Sequence, residues 1–297
     1  MLQKAVIFAL ASVSTILAAP TPAVPSNTDV LNFALTLEHL ENTFYAQALA
    51  KYTAQDFEND GLPAWVRGRF EQILTHEATH VQFLTAALGD KAVQPCEYAF
   101  PDDSPKAFAA MSMVFENVGA SAYLGSAQFL ANNADYLTAA GSILATEARQ
   151  ASWVSSAVMK LQPWNGPFEV PLTPSGAFSL AAPFIKSCPS TNAPLPIKSF
   201  PALTLSSSSP ARGGKITATF SQPQGAANGG AFVAWLDGRQ VLYTELDKNG
   251  STQVPAALMG TVYAAVVKSK ETPNDDNMLT GFTVAQFPFD STDRTNV

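Results

Sequence analysis

Two eight-residue stretches that align without a gap restrict this chain's fold more than any other feature. Ile73-Leu74-Thr75-His76-Glu77-Ala78-Thr79-His80 and Ile143-Leu144-Ala145-Thr146-Glu147-Ala148-Arg149-Gln150 share Ile, Leu, Glu and Ala at the same places. On a helix, steps of about 100° put Glu77 and His80 on the arc that carries Ile73, Phe83, Leu84, Ala87 and Leu88. The same construction surrounds Glu147 with Ala140, Ile143, Leu144, Ala151, Val154 and Val158. A carboxylate on a buried face is costly unless something pairs with it, and a divalent metal does so well.

The segments before the two stretches repeat as well. Glu38 is followed by Tyr45 and Glu116 by Tyr123, a Glu and then a Tyr seven residues on. The pattern predicts helices over 30–51, from Pro63 to 88, over 104–132 and over 136–162, with Pro163 as the stop. One helical hairpin used twice, with Glu-x-x-His at helical spacing, is how four-helix bundles build carboxylate-bridged di-metal sites. Glu41 lies inside the first helix's apolar arc beside Glu38, and either of them could instead hold a buried hydrogen bond to Tyr123 or Gln150. His39 projects onto the polar side and reads as solvated, and His76, on the Phe83 side of the second helix's apolar arc, reads as a half-buried residue satisfied by ordinary hydrogen bonds, with a partner that orients a carboxylate as the alternative. Gly119, Ala120, Ala122, Ser126 and Ala127 let a neighbouring helix approach the third closely.

At these residues the chain resembles the ferritin-like superfamily, and most closely the secreted fungal ferritin-like proteins of the stress-response or desiccation-related type. The resemblance covers about 29–160. It implies a metal role for Glu38, Glu77, His80, Glu116 and Glu147, with Glu41 and Gln150 as further candidates, and one or two iron or manganese ions as cofactor. Gln150 stands where the family's pattern has a second His; its amide oxygen is a weak ligand, so a metal-free protein is the alternative expectation.

The remainder of the chain reads differently. Lys4, the apolar run from Ala5 to Ala11 and the small residues Ala18 and Ala19 before Pro20 form a secretory signal peptide over 1–19. Cys96 and Cys188 suit an oxidising compartment and are expected to form a disulfide. The net charge of -7, without any basic run, argues against nucleic acid as a partner, and no later apolar run is long enough to span a membrane. Prolines recur too often over 163–201 for long helices, so this segment should wrap over the bundle before becoming a linker. Beyond it the periodicity changes to alternation, with strands expected around 202–205, 215–220, 231–236, 240–245, 261–267 and 281–284 and hairpin turns at Asp237-Gly238 and Asn249-Gly250.

The reading is therefore an α+β chain of several domains: a signal peptide at 1–19, a ferritin-like four-helix bundle with its Pro-rich wrap at 20–190, a linker at 191–201 and a small immunoglobulin-like antiparallel β-sandwich at 202–290. Asn249-Gly250-Ser251 is a glycosylation sequon. Two functions stay open. One is a secreted, stress-response-related protein with a degenerate carboxylate and His metal site. The other is a non-enzymatic extracellular or cell-wall-associated protein that uses the bundle as scaffold to contact wall polysaccharide or a secreted protein. A hydrolase is disfavoured, because no Ser or Cys sits in a Gly-x-Ser-x-Gly context.

Overall fold

The computed structural model describes residues 25–221 and 230–293. The signal peptide expected at 1–19 lies outside the described residues. Helix α1 (Asn27–Lys51) starts at a capping box, in which Ser26 accepts from the Asp29 amide while Asp29 accepts from the Ser26 amide. A short helix α2 (Ala54–Asn59), capped the same way by Thr53 and Asp56, precedes α3 (Trp65–Leu88) and was not foreseen. Helix α4 (Pro105–Ser126) begins at Ser104 with Pro in the first turn and tightens into one 3-10 turn. Helix α5 (Ala134–Trp153) begins at Asn133 and widens into a π turn at Val154–Val158, ending short of the expected Gln162.

Helix α1 packs mainly on α3, and α4 mainly on α5. Every residue of α1 from Val30 to Glu41 is buried, so this helix is covered on all sides. That corrects the reading of His39, which is 8% exposed with its Nε2 3.1 Å from the Val93 carbonyl. The cover there is the connection after α3, whose Val93 amide also donates to Asn32 Oδ1. Burial lowers the His39 pKa, against the opposing pull of the Val93 carbonyl.

Cys96 and Cys188 are joined in a disulfide. It clamps the ribbon of β1 (Glu97–Tyr98) on β2 (Ile185–Ser187), tying the connection after α3 to the segment after α6 (Pro174–Ala181). Closing so long a loop contributes about 3–5 kcal/mol through the entropy of the unfolded chain. The Pro-rich stretch thus carries one short helix and packs α6 against α1 and α4.

Among the described residues, seven further strands form two antiparallel sheets. One runs β3 (Thr204–Leu205), β4 (Lys215–Thr219), β7 (Ser251–Gln253). The other has the order β6 (Gln240–Glu245), β5 (Phe232–Asp237), β8 (Gly260–Val267), β9 (Thr283–Phe287). Asp237-Gly238 is a hairpin turn between β5 and β6, but Asn249-Gly250 carries the chain from β6 across to the other sheet, where β7 pairs with β4. Val233, Trp235, Val262, Ala264 and Val266 face Ile216 and Ala218 across the gap between the sheets.

The alternate residues Ala234, Leu236, Tyr263, Ala265 and Val267 belong to the same apolar cluster as Phe44, Phe108 and Phe115 of the bundle. The four-stranded sheet is therefore buried on both faces, which is why β8 shows no exposed position. Tyr263 Oη lies 3.2 Å from Ser121 Oγ of α4, and Asn165 bridges Asn117 to the Thr261 amide. No helix among the described residues is long and apolar enough to cross a membrane.

Candidate metal centre

Each long helix brings glutamate to the middle of the bundle. Helix α1 supplies Glu38 and Glu41, α3 supplies Glu77 and, one turn on, His80, α4 supplies Glu116, and α5 supplies Glu147 and Gln150. Glu38 and Glu77 have no solvent exposure, Glu116 and Glu147 have 1%, and Glu41 has 5%. One ligand atom from each of Glu38, Glu77, His80 and Glu147 lies within 4.8 Å of the other three.

The hydrogen bonds sort these residues into two kinds. Tyr123 Oη donates to Glu38 Oε1 at 2.5 Å, and Tyr45 Oη donates to Glu116 Oε1 while lying 2.7 Å from Ser112 Oγ. The repeated Glu-then-Tyr spacing is thus an exchange, in which each hairpin's Tyr serves the other hairpin's Glu. His80 Nδ1 is 3.3 Å from Glu38 Oε2 and 3.1 Å from Glu77 Oε2. Gln150 Nε2 donates to Glu77 Oε1 at 3.0 Å, and its second hydrogen faces His76 Nδ1 at 3.3 Å. His76 itself is exposed, not half-buried as its arc suggested.

Glu147 differs from Glu38, Glu77 and Glu116. Both of its carboxylate oxygens are buried without a hydrogen-bond partner. Its nearest crowding is Gly119 of α4, where an added Cβ would sit 2.4 Å from Glu147 Oε2 and 3.0 Å from Glu41 Oε1. Only a residue without a side chain lets both carboxyls approach α4 this closely. The small-residue stretch read in the sequence as a helix-packing surface therefore also makes room for the acids.

Five buried carboxyls beside one imidazole cannot all be ionised. Burial pushes the pKa of Glu38 up to about 7, with the Glu77 charge adding to it and the His80 and Tyr123 hydrogen bonds opposing it. Burial, followed by the neighbouring acids, holds Glu41 and Glu147 well above the usual carboxylate range. Glu116 is raised by burial and by Glu77, against the Tyr45 hydrogen bond. At His80 burial pulls downward, but the hydrogen bonds and charges of Glu38 and Glu77 outweigh it and bring the pKa up to about 10.

The arrangement is an excess of buried acid, and among the described residues no Lys or Arg forms an ion pair with any of these five carboxyls. An oxygen-rich set with one imidazole suits a hard or borderline divalent cation. Glu147, which lacks any donor, fits that role best on geometry. Glu116 is engaged by Tyr45 and stands apart from the group of four, and Glu41 stands beside Glu147 against Gly119.

Residues 26–160 match the ferritin-like domain family. Over 175 residues, 59% of this chain, the sequence is 30% identical to Protein rds1 of Schizosaccharomyces pombe, and the match spans 43% of that protein's length. The ferritin-like region accordingly contains all four long helices and the whole carboxylate cluster, while the sheets lie outside it.

Proposed function

We propose that this is a secreted protein whose ferritin-like bundle binds iron or manganese through Glu38, Glu77, His80 and Glu147, in a site reduced from the two-ion pattern and serving a stress response. The observation that carries the reading is Glu147: two buried oxygens without a donor, within ligand distance of two other carboxylates and an imidazole. When bound, such a metal would supply redox or Lewis-acid chemistry. The protein's own residues set the terms. Tyr123 and Gln150 orient Glu38 and Glu77 by holding one oxygen of each, and the packed bundle excludes bulk water from the carboxyls. Glu116, engaged by Tyr45, and Gln150, in place of a second His, leave one ion better provided for than two. Glu41 is a reserve carboxyl beside Glu147.

The test is metal content. Protein purified without chelator should carry iron or manganese, and Glu147→Ala should lose it; metal-free protein insensitive to that substitution removes the reading. Secretion is supported by the disulfide and by Asn249, which sits exposed on its turn. Amino-terminal sequencing of the mature chain should begin near Ala19 or Pro20, and Asn249 should carry glycan; an intact Met1 on cell-associated protein contradicts it.

A second reading is a scaffold without metal, in which the sheets contact wall polysaccharide or another secreted protein. It is favoured by the ways in which Tyr45, Tyr123 and Gln150 already satisfy Glu116, Glu38 and Glu77. Pull-down of the full chain on wall glycan, with no metal retained, would support it over the first.

A further inference from the structure

Helices α3 and α5 meet through Trp65 and Trp153 and through His76 and Gln150, and these residues line a cleft of about 570 Å³, within the range of roughly 300–1,000 Å³ usual for small-molecule sites. We propose that this cleft binds a planar aromatic carboxylate. The proposal is separate from metal binding.

The cleft has an aromatic end and a polar end. Trp65, 48% exposed, meets Trp153 at 6.1 Å between ring centroids and 61° between planes, which makes an indole corner open to solvent. Eleven residues along α3, about 16 Å at a helical rise of 1.5 Å per residue, His76 closes the other end against Gln150. Arg69 and Arg149, both exposed, line the walls between them. Arg149 forms no hydrogen bond or ion pair among the described residues, and Arg69 meets only the Gln72 amide oxygen at 2.8 Å.

Among the described residues no Asp or Glu lines the cleft, although the chain as a whole carries a net charge of -7. Both hydrogens of Gln150 Nε2 are engaged, one by Glu77 and one by His76 Nδ1. An accepting Nδ1 leaves the His76 ring hydrogen on Nε2, so His76 adds a donor beside the two guanidinium groups. Two cations and a donor without a counter-acid call for an anion, and a guanidinium matches a carboxylate in a bidentate fork. The exposed indole corner calls for a flat apolar ring. One ligand satisfies both when the carboxylate is attached to an aromatic system.

The probe is cinnamate, titrated by calorimetry into EDTA-treated full-length protein, so that metal occupancy does not enter the result. One saturable site per chain is expected, with binding by cyclohexanecarboxylate and by cinnamyl alcohol each about tenfold weaker, as removal of stacking or of a charge-assisted contact implies. Arg149→Ala and Trp65→Ala should each weaken cinnamate about tenfold, while Arg239→Ala, on the far sheet, should not. The exposed, unpaired Arg149 makes its variant the decisive one if Trp65→Ala alters the fold. Absence of saturation up to roughly 10 mM, which is weaker than about 3 kcal/mol of binding, overturns the proposal. So does equal binding of the three probes, cinnamate binding unchanged by Arg149→Ala, or displacement by inorganic phosphate at equal affinity.

Discussion

Gln150 donates to Glu77 Oε1 at 3.0 Å, from the helix position at which the first repeat, with the same register, carries His80. The amide therefore does in hydrogen bonding what a second imidazole would do in metal ligation. Gln150→His should restore the symmetric donor set and raise the metal content from about one ion per chain toward two, since imidazole suits first-row divalent metals better than a neutral amide. Elemental analysis of both proteins after loading and desalting checks this; equal content in the two would show that Gln150 is not what limits the site.

Gly119 is the position most sensitive to a single methyl group. An alanine Cβ would stand 2.4 Å from Glu147 Oε2, so Gly119→Ala should cost about 1–3 kcal/mol in overpacking and lower metal affinity by displacing Glu147. Urea unfolding of the metal-free protein and metal content of the loaded protein should move together. A variant of unchanged stability would mean that α5 is free to shift away.

Tyr123→Phe leaves Glu38 Oε1 without its donor in a site with no water exposure. Loss of a buried hydrogen bond of this kind costs about 1–3 kcal/mol. Because the Tyr123 hydrogen bond lowers the Glu38 pKa, its removal should raise that pKa further above about 7. Denaturant melts and carboxyl-resolved NMR titration of the metal-free variant would read both effects.

The metal-free protein should lose stability as pH rises. Glu38 titrates near 4.5 when unfolded and at about 7 when folded, so between those values the folded state holds a proton that the unfolded state lacks, and stability falls with rising pH. Glu41, Glu116 and Glu147 are shifted in the same direction. His80, raised from 6.5 to about 10, contributes stability that is complete below 6.5 and lost as pH passes about 10, which has the same sign. Saturating Mn2+ should flatten or reverse the trend, because the metal takes the place of the protons. Melting temperatures measured from pH 5 to about 8 with EDTA and with Mn2+ decide it.

The parts of this structure that were legible in the sequence are those with a local period. Glu77, His80 and Glu147 could be placed inward because apolar residues recur around them every three or four positions, and the strands of both sheets other than the short β7 announced themselves by alternation. His39 was misjudged because its cover is not a helix but the irregular connection around Val93, which leaves no periodic trace in α1. The double-sided burial of β8 depends on the bundle lying against Tyr263, Ala265 and Val267, a contact between segments far apart in the chain. Asn249-Gly250 has the composition of a hairpin turn, but composition does not say which sheet the next strand will join. The Tyr45 and Tyr123 exchange was half visible: the seven-residue spacing was plain, while the crossing of partners required the two hairpins to be set side by side.

The most direct measurement is a calorimetric titration of chelator-stripped protein with Mn2+, in parallel for the natural chain and Glu147→Ala. The account predicts at least one saturable site per chain in the natural protein and a loss of affinity of about a hundredfold or more in the variant, as removal of a ligand from a four-residue set implies. Absence of a saturable site in the natural protein, or equal binding by the variant, would contradict it.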